Sequence, residues 1–246
     1  MHKITVVPPW SRLGAKIESM TRKALYDFIM VEDESPMAVA LSGGKDSLAL
    51  LMMLKAVSGR GFPKFPLVAI HVAGEFSCGA GVNQDYLQRI CDELEIPLIV
   101  EQSTQKLETL ECYSCSRERR KLLFTAAKKV GAKSVAFGHH RDDSVQTLLM
   151  NLLHKGEFAG NLPKIHMYEY GITILRPLIH VPEADIRTFA QQQGFMRITC
   201  QCPVGQESMR KHTEDLVKTL EEIYPNAREN LARAGLNYGS QKALTP

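Results

Sequence analysis

The sequence predicts an α/β fold, a doubly wound parallel sheet of about five strands with helices before and after it. Three observations carry this expectation. Short apolar runs alternate with longer stretches of helical periodicity. A glycine turn joins the first apolar run directly to a helix. The polar residues with chemical potential fall where the strands end, which is where such sheets bind ligands. With 246 residues, 44% of them hydrophobic, the chain can bury a sizeable core.

The elements follow in order. Ile17, Met20, Ala24, Leu25, Phe28 and Ile29 share one face of a helix over 14–30, and Glu32 to Pro36 end it. Met37 to Leu41 form the first strand, and Leu48 to Val57 the helix after it. Residues 59–66 are a loop, and Leu67 to Val72 a buried strand. A helix over 82–94 carries Tyr86, Leu87, Ile90 and Leu94 on one face. Ile96 to Val100 form the third strand, 116–130 a helix, and Ser134 to Gly138 the fourth strand. The next helix starts near Asp142, with Val145, Leu148, Leu149 and Leu152 in period. Ile172 to Leu175 make the fifth strand. A helix over 182–193, an extended segment over 195–199, helices over 206–223 and 225–235, and a frayed tail from Ser240 complete the chain.

Composition narrows the function classes. A net charge of +3 and a pI near 8.5 permit a nucleic-acid partner without demanding one. No apolar run reaches the length of a membrane span, and the N-terminus lacks a signal-peptide core. The expected location is therefore cytoplasmic, with no membrane partner. In that setting six cysteines point to metal or redox chemistry before structural disulfides.

The most informative motif is Ser42-Gly43-Gly44-Lys45-Asp46-Ser47, set between strand and helix. Backbone N–H groups and the positive helix end converge there on one spot. The glycines let the backbone approach a phosphate closely. Lys45 adds a cation, Ser42 and Ser47 add hydroxyls, and Asp46 is placed to hold Mg²⁺. The spacing fits neither the longer general phosphate loop nor the dinucleotide fingerprint. It resembles the PP-loop of ATP pyrophosphatases, of the adenine nucleotide alpha hydrolase-like fold. That resemblance implies cleavage of ATP between its α and β phosphates and adenylation of a substrate oxygen. His71, Gly138-His139-His140 and Arg176 fall at the same ends of other strands.

Cys112 and Cys115 form a C-x2-C pair at a helix start, where thiolates are favoured. Zinc, iron–sulfur and dithiol redox roles all suit that spacing. Cys200 and Cys202 come much later; all four together suit zinc. One of the later pair would instead complete three thiolates, leaving one iron of a [4Fe–4S] cluster open. Cys78 reads as a loop residue and Cys91 as a core residue.

Taken in order, the loop, Cys112 to Arg120, Gly138 to Asp143 and Arg176-Pro177-Leu178 resemble the tRNA 2-thiocytidine synthetase family over roughly 20–235. The chain is shorter than is typical there, and the stretch Ile70 to Phe76 lacks the aspartate expected at the second strand end. No cysteine precedes Cys78 or follows Cys202, which favours this branch over the zinc-bearing 2-thiouridine relatives. The resemblance implies an ATP-dependent, [4Fe–4S]-dependent thiolation of an anticodon-loop cytidine in tRNA. It implies Cys112 and Cys115 as cluster ligands, with Cys202 rather than Cys200 as the third. It also implies a sulfur donor, either a cysteine desulfurase product or free sulfide, and a homodimer. The domain reading is an N-terminal helical extension over 1–35, a PP-loop ATPase domain over 36–200 and a C-terminal helical segment over 201–246.

Roles follow from the chemistry. Ser42, Gly43, Gly44, Lys45 and Ser47 donate to phosphates, with His71 and Gly138 beside the nucleotide. Mg²⁺ takes one or two carboxylates, with Asp46 first and Asp142 or Asp143 next. Asp142 and Asp143 also read as a helix cap and a first-turn acid. His139, Arg141 and Arg176 are placed as fixed cations for developing charge; His140 reads as structural. Arg117, Arg119, Arg120 and Lys121 suit RNA phosphates or an anionic sulfur donor, against a solvated helix face. Arg228 and Arg233 make a weaker case of the same kind. The competing functions are a PP-loop thiolase or ligase on another base, a small-molecule sulfur transferase, and a zinc-stabilised nucleotide-binding protein.

Overall fold

The computed structural model describes residues 10–74, 82–104, 112–195 and 209–240. The elements are α1 (Arg12–Asp27), β1 (Met37–Ala40), α2 (Lys45–Val57), β2 (Leu67–Ala73), α3 (Gln84–Glu93), β3 (Leu98–Gln102), α4 (Cys112–Lys129), β4 (Ser134–Ala136), α5 (Arg141–Lys155), β5 (Lys164–Met167), β6 (Ile172–Leu175), α6 (Glu183–Gln192), α7 (Met209–Ile223) and α8 (Ala227–Tyr238).

The sheet runs β3-β2-β1-β4-β6-β5. Every neighbouring pair is parallel except β5–β6. The expected five parallel strands are present, and a sixth, antiparallel one lies at the edge. Lys164-Ile165-His166-Met167 is too short and too half-buried for an apolar run to announce it. Two helices begin earlier than periodicity suggests. α2 starts at Lys45 and α4 at Cys112, because polar first turns carry no apolar signal. Of the extended segment expected over 195–199, all but Phe195 lies outside the described residues.

Register positions the site. Ala40 pairs with Ile70, Val39 with Ala136, and Ala136 with Leu175. The chain therefore leaves three adjacent strands, β1, β4 and β6, close to one level, through Leu41, Phe137 and Arg176, whereas His71, expected at a strand end, lies beside Leu41 within β2, which runs on to Ala73. Strand order reverses between β1 and β4, which opens the crevice where open α/β sheets bind ligands.

α2 is apolar all round, and Leu48 to Leu54 are fully buried. It is sandwiched between the sheet and α1 and α6, and Ile17, Leu25, Ile186 and Phe189 join its core. Phe124, Ala126 and Ala127 of α4 cover the opposite face of the sheet. Val145 and Leu149 of α5 meet Val217 of α7 and Ala232 of α8 in a third, smaller cluster. Among the described residues no helix is long and apolar enough to cross a membrane.

Candidate active site

The loop after β1 turns through Gly43 at φ 85°, a conformation that favours glycine. Gly44 is the N-cap of α2 and supplies no side-chain cap, so the helix presents first-turn N–H groups to the crevice. Ser47 is buried; its hydroxyl donates to the Gly44 carbonyl at 2.9 Å and lies 3.1 Å from Ser42 Oγ. Ser42 Oγ accepts from the Gly44 N–H at 3.3 Å. These bonds shape the loop from within.

Gly138 follows β4. A Cβ there would sit 2.9 Å from the Asp46 carbonyl carbon and 3.0 Å from the Ser47 nitrogen. Its missing side chain lets the end of β4 lie against the first turn of α2. Leu41 and β2 are tied similarly, because His71 Nδ1 bonds the Leu41 carbonyl at 2.8 Å. Burial lowers the His71 pKa, so the ring is neutral and its Nδ1 donates. Both residues brace the loop.

Lys45 Nζ lies 3.0 Å from Asp46 Oδ2 and 3.0 Å from Glu183 Oε1. Burial works against the ammonium, but the two carboxylates outweigh it and raise its pKa. Glu183 shows the reciprocal effect. Burial opposes its charge, yet Lys45 and then Arg187 pull the carboxyl down to about 2. Asp46 Oδ1 is buried and has no hydrogen-bond partner among the described residues. His140 Nε2 stands 3.7 Å from it.

His140 caps α5. Its Nδ1 accepts from the Asp143 N–H at 3.3 Å, and Asp143 Oδ2 accepts from the His140 N–H at 3.0 Å. This reciprocal capping box gives Asp143 its first task. Its other oxygen pairs with Arg210 of α7 at 3.2 Å. Asp142 is buried with both oxygens engaged. Oδ2 accepts from the Glu183 N–H and Oδ1 from Arg228 Nη1, each at 2.9 Å. The cap is His140 rather than either aspartate, and Asp142 and Asp143 are both first-turn acids. Asp142 acts as a tie between α5, α6 and α8.

The expected trio of cations needs correction. His139 stacks on Phe137 with ring centroids 5.7 Å apart. Burial and the Arg176 charge hold its pKa well below the ordinary imidazole value, so it is neutral at physiological pH. Arg176 is buried; desolvation and Arg120 lower its pKa to about 10, which leaves it cationic. Its Nη1 donates to the Leu162 carbonyl, and its buried Nε has no partner among the described residues. Arg141 Nε stands 3.7 Å from Asp142 Oδ2. Arg228, expected to reach outward, is buried against Asp142, Glu214 and Glu221. Arg233 is exposed and donates to Asn230 at 2.8 Å.

Cys112 and Cys115 lie in the first turn of α4. Arg117, Arg120 and Lys121 are exposed on the same helix, and Arg119 is half-buried with its charge felt at His71. Cys78, Cys200 and Cys202 lie outside the described residues. Cys91 is a core residue as expected, its thiol pushed up to about 11 by burial and Asp92. Among the described residues no group of three or more His, Cys, Asp or Glu is arranged for a metal.

Sequence reasoning missed Glu183 and Arg210. An acid opening a helix reads as a favourable partner for the helix dipole. No spacing rule pairs Glu183 with Lys45, or Arg210 with Asp143. The assembled crevice offers helix N–H groups and an ammonium to phosphates, and one free carboxylate oxygen to a divalent cation.

Known proteins resemble this chain in sequence and in fold. The family model of the PP-loop domain matches residues 14–199. The tRNA-cytidine(32) 2-sulfurtransferase of Dechloromonas aromatica is 34% identical over 92% of this chain and 81% of its own. That of Syntrophotalea carbinolica is 34% identical over 91% and 89%. Among solved structures, the U34-tRNA thiolase NcsA from Methanococcus maripaludis with its [4Fe-4S] cluster superposes with a TM-score of 0.74. It covers 91% of this chain and 78% of that one at 23% identity, a likeness of fold.

Proposed function

Because the chain belongs to the PP-loop family and, within it, to the tRNA-cytidine 2-sulfurtransferases, we propose that its crevice adenylates the C2 oxygen of an anticodon-loop cytidine in tRNA and exchanges that oxygen for sulfur. The observation that carries the chemistry is the pairing of an uncapped α2 N-terminus with Lys45 and the free Asp46 oxygen at the β1–β4 switch point.

The α2 N–H groups and Lys45 hold the ATP phosphates. The C2 oxygen attacks the α-phosphorus; the bond to the β-phosphate oxygen breaks, and pyrophosphate leaves with that electron pair. Asp46 is the residue to hold Mg²⁺, whose bound form neutralises phosphate charge; one carboxylate suffices beside phosphates and water. Asp143 stands next in line and Asp142 remains a structural tie. Arg176, cationic despite its lowered pKa, offers a fixed positive charge. In the second half-reaction sulfur bonds C2, the C2–O bond breaks, and AMP leaves with the original oxygen. Cys112, Cys115 and Cys202 are the residues that would hold a [4Fe–4S] cluster, which when bound would pass on sulfur received from the donor. The C-x2-C pair at a helix start suits thiolate ligands.

Arg117, Arg120 and Lys121 suit the tRNA backbone. We read residues 36–200 as the PP-loop ATPase domain, 1–35 as an N-terminal extension that includes α1, and 201–246 as a C-terminal segment that includes α7 and α8. A homodimer in the cytoplasm, fed by a cysteine desulfurase product or by sulfide, completes the reading.

Mass spectrometry of total tRNA nucleosides tests it. A deletion strain is expected to lose 2-thiocytidine, and a Lys45→Ala copy to leave it lost. Unchanged thionucleosides in the deletion strain would overturn the substrate assignment. Anaerobic purification is expected to give a brown protein with about four irons per chain. That colour should vanish in Cys112→Ala and Cys202→Ala but persist in Cys200→Ala.

A further inference from the structure

Lys45 is shared between two carboxylates. Asp46 belongs to its own helical turn, while Glu183 reaches in from α6 at the same 3.0 Å distance. Glu183 is itself fixed twice. Its backbone N–H donates to Asp142 Oδ2, and its carboxylate also pairs with Arg187 at 3.1 Å. Asp142 is in turn held by the buried Arg228.

The first turn of α6 does not need Glu183 for its dipole. Asp185 already supplies an acid there, paired outward with Lys16 at 2.7 Å. What distinguishes Glu183 is its contact with the one ammonium of the PP-loop. Lysine carries its charge on a flexible stem and collapses onto the nearest carboxylate. Without Glu183, that carboxylate is Asp46. Lys45 already engages Asp46 Oδ2; undivided, its charge would fall wholly on the carboxylate whose Oδ1 must face a divalent cation.

We propose that Glu183 is a positioning residue that competes with Asp46 for Lys45. It shares the ammonium with Asp46 Oδ2 and so leaves Asp46 Oδ1 available to Mg²⁺. This rests on the ATP site proposed above.

The test measures ATP affinity of the full-length protein by calorimetry, with Mg²⁺ and with chelator, and takes the ratio. In Glu183→Gln the enhancement by Mg²⁺ is expected to shrink about fivefold, the effect of losing one partly buried ion pair. Asp185→Asn makes the same charge change in the same turn and is expected to keep the ratio within about twofold. In a Lys45→Met background, Glu183→Gln is expected to leave the ratio unaltered, since nothing remains to compete for. An unchanged ratio in Glu183→Gln overturns the proposal, as does an equal loss in Asp185→Asn or a full effect without Lys45. Failure of the wild-type protein to bind ATP in either condition sinks the ATP site itself, and this inference with it.

Discussion

Replacing Arg228 by alanine removes the cation that three acids surround. The side chains of Arg228 and Asp142 are 9% and 8% exposed, with 2.9 Å between Nη1 and Oδ1. Taking one partner from a buried pair costs about 3–5 kcal/mol, because the other charge is left stranded. Glu214 and Glu221 are 24% and 32% exposed. Their carboxylates recover water, and each adds no more than about 1 kcal/mol. The sum, near 4 kcal/mol, is a large fraction of the roughly 5–15 kcal/mol that holds a domain together. For a chain of this size it lowers the melting point by about 10 °C. Urea titration and calorimetry read both quantities. The stranded carboxylate can be checked directly, since Asp142→Asn in the Arg228→Ala background should restore about 1–2 kcal/mol. An Arg228→Ala loss below about 1 kcal/mol, or no recovery in the double variant, would refute the reasoning.

Three further outcomes follow from the site. Gly138→Ala drives a Cβ against the backbone of Asp46 and Ser47, which cannot swing aside. It should cost about 1–3 kcal/mol and displace the loop, read as lost ATP–pyrophosphate exchange in a protein that still melts cooperatively. Asp46→Asn removes the charge facing the free oxygen position and should slow adenylation about a hundredfold or more, with excess Mg²⁺ giving no rescue. His71, His139 and His180 are all held below the ordinary imidazole value of 6.5, chiefly by burial. Below that pH the unfolded chain binds protons that the native rings refuse. Stability contributed by their neutral forms is therefore full above pH 6.5 and declines on acidification. Urea midpoints at pH 7.5 and 5.5 test this, and His139→Phe should flatten the slope.

The sheet was legible because buried parallel strands are short apolar runs with few alternatives. β1, β2, β4 and β6 fall within a residue or two of their expected bounds. The PP-loop was legible because its geometry demands glycine and its ligand demands charge, both of which are local. β5 was not, since an edge strand half open to solvent carries mixed residues. The fates of Asp142, His139 and Arg228 were also hidden. Each was read from its chemical type, but its role is set by partners far away in sequence, or by desolvation. His139 shows this most plainly, since an imidazole beside an arginine in a buried niche cannot serve as a cation.

The tie between Asp142 and Arg228 also sets a timetable. A chain emerging from the ribosome presents the PP-loop and Asp142 long before α8. Until Arg228 arrives, Asp142 must either remain hydrated or be buried uncompensated, and its grip on the Glu183 N–H is insecure. A helix made after all the others described thus secures a tie behind the loop that was made first. A nascent chain holds the PP-loop early, but ties Asp142 and Glu183 behind it only once α8 has followed.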